Sequence, residues 1–104
     1  MPPITGAALR GTVLGRPGWG KRGYHPTEVD TFLARAADAL DDVAAGRTPD
    51  VTADEVHTVV FRKPPIGQRG YDEDAVDDLL DQVETALRGG PAVGIELNGR
   101  PLGA

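Results

Sequence analysis

Apolar residues recur at intervals of three and four along two stretches of this chain, the spacing of a helix that buries one face. The first apolar stripe consists of Val29, Phe32, Leu33, Ala36, Ala39, Leu40 and Val43, and the second of Val76, Leu79, Leu80, Val83, Ala86 and Leu87. Each stripe lasts only about two heptads, whereas a sustained coiled coil needs roughly three or four. The pattern therefore predicts two amphipathic helices that face a small bundle.

Capping residues mark the start of each long helix and of a shorter helix before it. His25 or Asp72 stands at the predicted N-cap of a long helix, and Pro26 suits a first helical position. Thr5 and Thr52 are predicted N-caps of the short helices, because a hydroxyl accepts a hydrogen bond from an unpaired backbone amide. We expect the short helices to present the apolar residues Leu9 and Val13 in one case, and Val56, Val59 and Val60 in the other.

The two halves of the chain are copies of one another. Residues 4–40 align without a gap with residues 51–87, and 12 of the 37 aligned positions are identical. The shared block is Arg-Gly-Tyr, then Val-Asp after four residues, then Leu; its central positions are Gly23, Tyr24, Val29 and Asp30 in one copy and Gly70, Tyr71, Val76 and Asp77 in the other. The sequence therefore predicts an all-α protein of two helix-loop-helix repeats that pair as a pseudo-twofold four-helix unit.

Turn-forming residues separate these units. Gly and Pro supply 14 and 9 of the 104 residues, and they concentrate between the predicted helices. We expect repeat 1 over residues 1–42, a linker over 43–50, repeat 2 over 51–88 and a flexible tail over 89–104, in which Val93, Ile95 and Leu97 alternate as in a short strand. Because each repeat is too small to fold alone, we expect them to pair within one chain, and a homodimer is the open alternative.

Charge and composition exclude several classes of function. Residues 1–40 carry five basic and three acidic groups, whereas residues 41–104 carry six basic and thirteen acidic groups. An acidic chain of this kind is a poor nucleic-acid binder. The chain has no cysteine, which excludes disulfides and thiol chemistry. It shows neither a signal peptide nor an apolar run of the ~18 residues that span a membrane, so we expect a cytoplasmic protein.

The sequence offers little catalytic or metal-binding chemistry. Residues 15–22 match a phosphate-binding loop except that Arg22 replaces the hydroxyl residue, and the second repeat lacks the pattern. His25 and His57 lie in different repeats without a metal-ligand or triad spacing. The acidic run over residues 72–81 is interrupted by apolar residues, unlike a calcium loop. We therefore expect no enzyme, no cofactor and no metal.

The loop of each repeat combines basic and large apolar residues. The candidate interaction residues are Arg16, Trp19, Lys21 and Arg22 in the first loop, and Arg62, Lys63, Ile66 and Arg69 in the second. Cations beside an exposed apolar tip suit an anionic membrane surface. In the alternative interpretation, Trp19 and Ile66 fold inward while Arg22 and Arg69 pair with Asp30 and Asp77.

The duplicated block resembles the DivIVA domain of bacterial cell-division and polar-growth proteins. Residues 51–87 are the better copy, and residues 4–40 are more diverged. The resemblance implies a short helix, a loop and the start of a parallel coiled coil, which intertwine as a dimer. It also implies that the motif arginine, Arg22 or Arg69, and an aromatic before it contact the membrane. Here Lys21 or Gln68 precedes the arginine, Trp19 is the nearest aromatic, and the long coiled coil is missing.

The resemblance implies a non-catalytic adaptor or regulator in bacterial cell division or cell-envelope growth. Its partners would be proteins of the division or envelope machinery, or further copies of the chain. One alternative is a membrane-surface sensor that binds anionic lipid through the basic loops, at the inner face of the cell membrane. Another is a small helical regulatory protein unrelated to division.

Overall fold

The computed structural model describes residues 3–89, and this part of the chain is all-α. Its helices are α1 (Gly6–Arg10), α2 (Pro26–Ala44), α3 (Ala53–Thr58) and α4 (Glu73–Leu87). Helix α1 packs on α2, α3 packs on α4, and the two long helices pack on each other. The predicted two-repeat, four-helix arrangement is confirmed. The predicted tail, with its alternative strand, lies outside the described residues except for Gly89.

The helices begin where the capping residues predict. Thr5 accepts a hydrogen bond from the Ala8 amide at 3.1 Å, and Thr52 accepts one from the Glu55 amide at 3.1 Å. His25 and Asp72 are the N-caps of α2 and α4. Of these two residues, only Asp72 caps with its side chain, whose carboxylate accepts a backbone hydrogen bond. The His25 side chain makes no capping bond.

Helix α2 continues to Ala44, two residues into the predicted linker. It ends where Gly46 adopts a φ of +77°, a left-handed conformation that costs glycine little. The Gly46 amide donates to the Val43 carbonyl at 3.1 Å, and the Arg47 amide donates to the Asp42 carbonyl at 2.7 Å. This pair of bonds is a Schellman motif, so local backbone chemistry sets the end of the helix.

The short helices are shorter than their apolar pattern predicts. Helix α1 ends at Arg10 and α3 ends at Thr58, so Val13 and Val60 lie in the extended segments that follow. Val13 is 92% exposed and Val60 is 87% exposed. The prediction that the short helices present these two valines to the core is therefore wrong, whereas Leu9 and Val56 are buried as expected.

The core lies between the four helices and uses both predicted stripes. The stripe of α4 is buried except for the half-buried Leu87, and in α2 the stripe ends at Leu40, because Val43 is exposed. The core also includes Ala37, Val51 and Phe61, which the periodicity did not select. Phe61 follows α3, so only the tertiary structure brings it onto the long helices.

Helix α3 packs on α4 and also reaches α2 through a side-chain ion pair, and these contacts indicate the relative direction of the long helices. Its Glu55 pairs with Arg35 of α2 at 3.1 Å, and its His57 lies 3.1 Å from Glu84 of α4. Arg35 lies about two and a half turns, and Glu84 about three turns, from the start of its helix. Both long helices therefore leave the loop end of the molecule in the same general direction.

Candidate interaction loops

The two repeats meet at Tyr24 and Tyr71. The Tyr24 amide donates to the Tyr71 carbonyl at 2.9 Å, and the Tyr71 amide donates to the Tyr24 carbonyl at 3.0 Å. The Tyr24 hydroxyl donates to Asp77 at 2.9 Å, and the Tyr71 hydroxyl donates to Asp30 at 2.8 Å. Each contact becomes its counterpart when the numbering is shifted by 47, the offset of the repeat. A pseudo-twofold axis therefore passes between the tyrosines, and we call this region the crossing.

The glycine of each Arg-Gly-Tyr block lets the two chain segments approach. A Cβ atom on Gly23 would lie within 3.0 Å of the Tyr71 backbone, and one on Gly70 would lie equally close to the Tyr24 backbone. Gly23 also has a φ of +79°, which disfavours any other residue. The motif glycines are therefore structural, because a side chain at either position would push the repeats apart.

The motif arginines hold the loops of the two repeats together. Arg22 donates to the Pro64 carbonyl, and Arg69 donates to the Pro17 carbonyl. Asp30 and Asp77 instead accept the tyrosine hydroxyls. The predicted pairing of Arg22 and Arg69 with these aspartates is therefore wrong, because the aspartates lie on the helices while the arginines reach across to the opposite loop.

Burial and the neighbouring carboxylates keep the two tyrosines protonated. Burial raises the pKa of Tyr24 to about 12, with a further contribution from its hydrogen bond to Asp77. The hydrogen bond to Asp30 raises the pKa of Tyr71, and burial acts in the same direction. In both cases a phenolate would face a carboxylate, so the crossing needs the protonated hydroxyls.

Beyond the crossing, each loop ends in a tight turn. The Lys21 amide donates to the Gly18 carbonyl at 3.1 Å, and Gly20 has a φ of +81°. In the second loop the Gln68 amide donates to the Pro65 carbonyl at 3.0 Å, and Gly67 has a φ of +91°. A four-residue turn with a left-handed glycine at its third position is a type II turn.

The corner position of each turn holds a large apolar side chain. Trp19 is fully exposed, and Ile66 is 93% exposed. No atom lies within 4 Å of a Cβ built on Gly18, Gly20 or Gly67. The interpretation in which Trp19 and Ile66 fold inward is therefore wrong, and both side chains project into solvent. We call these two side chains the tips.

The remaining loop cations are engaged to different degrees. The Arg16 guanidinium lies 5.6 Å from the centre of the Tyr71 ring, and Lys63 pairs with Glu73 at 2.8 Å. Arg62 pairs with Glu28, and its backbone amide and guanidinium lower the pKa of that carboxylate. Lys21 makes no side-chain hydrogen bond or ion pair with the rest of residues 3–89.

The two turns consequently offer different surfaces. Lys21 follows Trp19 after one glycine, whereas the neutral Gln68 follows Ile66 in the same way. The sequence signal for both turns is the glycine repeated at residues 20 and 67. The loops thus present one cationic aromatic tip and one neutral aliphatic tip from a common crossing.

Within residues 3–89, no cluster of three or more His, Asp or Glu side chains is placed to hold a metal ion. No helix in that range is long and apolar enough to cross a bilayer. Comparison of the chain with protein-family models, curated proteins and solved structures gives no match. The DivIVA resemblance therefore stays a prediction from the duplicated motif.

Proposed function

We propose that this chain is a non-catalytic adaptor of the DivIVA type, which acts through protein–protein interaction in bacterial cell division or cell-envelope growth. It would work in the cytoplasm. The observation that supports an adaptor is the pair of tips, Trp19 and Ile66, projecting from hydrogen-bonded turns beyond the crossing.

Exposed apolar side chains that lie together on a soluble protein mark a binding surface, whereas singly exposed ones do not. Tryptophan in particular supplies a large share of the binding energy at protein interfaces. The turns hold Trp19 and Ile66 in a defined backbone geometry, which reduces the entropy lost on binding. A pair of unlike tips on hydrogen-bonded turns suits recognition of a partner with two apolar pockets.

The crossing gives the two tips a fixed relation to each other. Arg22 and Pro17 flank Trp19 in sequence, and they bind Pro64 and Arg69, which flank Ile66. Both turns therefore leave from the same bonded unit, and a partner can engage them together. Loss of either tip would weaken a single joint surface.

Localisation of a fluorescent fusion in the native bacterium tests this proposal. We expect the protein to concentrate at division sites or cell poles, and the Trp19→Ala/Ile66→Ala variant to become diffuse. Val60→Ala is the matched control, because Val60 is 87% exposed on the same loop as Ile66 but lies outside the turn. Diffuse signal from the unaltered protein throughout growth, or unchanged localisation of the tip variant, would overturn the proposal.

A membrane-surface sensor is the second candidate, and the cationic aromatic tip favours it. Trp19 stands two residues before Lys21, and a basic residue near anionic lipid contributes about 1 kcal/mol. Co-sedimentation with vesicles of phosphatidylglycerol and phosphatidylcholine tests it, with pure phosphatidylcholine as control. We expect binding only to the anionic vesicles, with loss of binding in Trp19→Ala/Lys21→Ala. Equal sedimentation of that variant would exclude this function.

A further inference from the structure

The pseudo-twofold relation holds at the crossing but breaks down on its two sides. On one side Phe61 of repeat 2 packs against Tyr24 and Phe32 of repeat 1, with ring centroids 5.5 Å and 5.9 Å apart. On the other side the equivalent of Phe61 is Leu14, and the equivalent of Phe32 is Leu79. We call these the aromatic side and the aliphatic side.

Within residues 3–89, the ion pairs between the repeats are also confined to the aromatic side. Glu28 of repeat 1 accepts a bond from the Arg62 amide at 2.9 Å and pairs with its guanidinium. Arg35 of repeat 1 pairs with Glu55 of repeat 2 at 3.1 Å.

The aliphatic side lacks the residues for such pairs. The positions equivalent to Glu28 and Arg62 are Ala75 and Gly15, and those equivalent to Arg35 and Glu55 are Gln82 and Ala8. None of these four residues is charged, so they form no ion pair on the aliphatic side.

We infer that one face of repeat 1 is a recognition surface for a segment of the repeat 2 type. The face carries Tyr24, Glu28, Phe32 and Arg35. The segment that fits it has an acidic residue on the short helix and a Phe-Arg pair after that helix. The partner of this face is repeat 2 of the same chain, which occupies it in the structure.

A second repeat 1 would fit this face poorly. It would bring Ala8, Leu14 and Gly15 to the places of Glu55, Phe61 and Arg62. Glu28 would then lose Arg62, and Arg35 would lose Glu55. The bonds of the motif tyrosines, aspartates and arginines would not discriminate, because both repeats supply the same Tyr, Asp, Arg, Pro and Gly. Arg16, which lies against Tyr71, has another cation, Lys63, at its equivalent position. We therefore assign the selectivity to the aromatic side, in a fold whose axis alone would accept any pair of repeats.

The expected preference is moderate. Exposed ion pairs contribute little each, and aromatic pairs contribute somewhat more, so together they give a preference of roughly ten- to a hundred-fold for the unlike pair. Native mass spectrometry resolves such a ratio directly, because the two repeats differ in mass.

The test uses the full chain with a protease site inserted between Thr48 and Pro49, in the exposed linker. The folded protein is cleaved, left to equilibrate and analysed by native mass spectrometry. Random reassortment of the halves would give like pairs in half of the complexes. We expect the unlike pair to dominate by about ten-fold or more. A distribution close to random would overturn the inference.

Two variants locate the selectivity. Glu55→Ala/Phe61→Leu/Arg62→Gly gives repeat 2 the residues of repeat 1, and we expect it to raise the like pairs toward the random share. The control Lys63→Ala/Glu73→Ala removes an ion pair of similar exposure that lies within repeat 2, and it should leave the preference unchanged. An equal shift in both variants would contradict the assignment.

If the cleaved halves separate or unfold, the intact chain provides the measurement. Urea unfolding of Glu28→Gln, Arg62→Gln and the double variant forms a double-mutant cycle. We expect the double variant to be less destabilised than the two single variants predict together. Strict additivity, or no effect of either single variant, would overturn the role of this pair.

Discussion

The crossing and the tips are built from the same two loops, but the two repeats are identical at the crossing and differ at the tips. At the crossing both repeats use identical residues, and each is held by a partner from the other repeat. At the tips the repeats share only the turn glycine, and the exposed corner residues are Trp19 in one turn and Ile66 in the other. The residues that the repeats share therefore set how the two repeats pair. The exposed residues that differ between them give each loop a different surface.

This contrast changes the role of the motif arginines. The family resemblance implies that Arg22 and Arg69 contact a membrane, but here each donates to a proline carbonyl of the opposite loop. Their guanidinium groups thus join the loops to each other. Lys21, which has no counterpart cation in the second repeat, is the more available charge beside a tip.

The largest expected effect comes from placing a side chain at the crossing. Gly23→Ala should destabilise the protein by about 2–5 kcal/mol, because the new Cβ would clash with the Tyr71 backbone and the residue would keep a left-handed φ. Gly46→Ala is the matched control, since Gly46 has a similar φ of +77° but open space around it. Urea unfolding measures both, and equal losses would show that the crossing is not tightly packed.

The crossing should also weaken at alkaline pH. The folded pKa of Tyr24, about 12, lies above its ordinary value of 10.0. The protonated hydroxyl therefore stabilises the fold fully below pH 10, and this stabilisation is lost as the pH rises through about 12. We expect Tyr24→Phe to reduce the alkaline loss of stability seen by thermal unfolding across this range. An unchanged pH profile would contradict the pairing with Asp77.

Loss of the threonine N-cap of a short helix should reduce stability by a smaller amount. Thr52→Ala should cost about 1 kcal/mol, because the Glu55 amide at the start of α3 loses its acceptor. Thr5→Ala should cost a similar amount at the start of α1. Thr85→Ala, at an exposed position within α4, is the control and should change stability little. Chemical denaturation measures the free energy of unfolding of all three variants. A Thr52→Ala variant as stable as the control would contradict the capping role of Thr52.

The smallest effect on stability should come from the tips. Trp19→Ala and Ile66→Ala should each change the free energy of unfolding by less than about 0.5 kcal/mol, because neither side chain is buried. The same variants should abolish any function that depends on the tips. A large loss of stability in either variant would mean that the tip packs within the fold.

Much of the fold was predictable because its determinants are local. The apolar stripes place Val29, Leu40, Val76 and Val83 in the core, since a helical period of 3.6 residues brings them onto one face. Thr5 and Thr52 act on amides three residues away. The duplication itself was visible as a fixed offset in the sequence. In the short helices the apolar pattern gave a wrong prediction for Val13, because helix α1 ends before that residue.

The partners at the candidate site were not predictable in the same way. Carboxylates lie near Arg22 in the sequence, but its hydrogen-bond partner is the Pro64 carbonyl, 42 residues away. Tyr24 likewise binds Asp77, 53 residues away, rather than Asp30 of its own repeat. In a duplicated chain every such residue has an equivalent partner in either repeat, so sequence alone leaves the choice open.

The helices, their caps and the two equivalent units follow from the amino-acid sequence alone, because hydrophobic period and capping chemistry act within a few residues. The crossing of the loops, their exchanged hydrogen bonds and the outward direction of Trp19 and Ile66 follow from the packing of one repeat on the other. That packing depends on close backbone approach at Gly23 and Gly70, which requires both repeats to be present. The tips are exposed because open space surrounds the glycines of their turns, so no packing partner lies beside them.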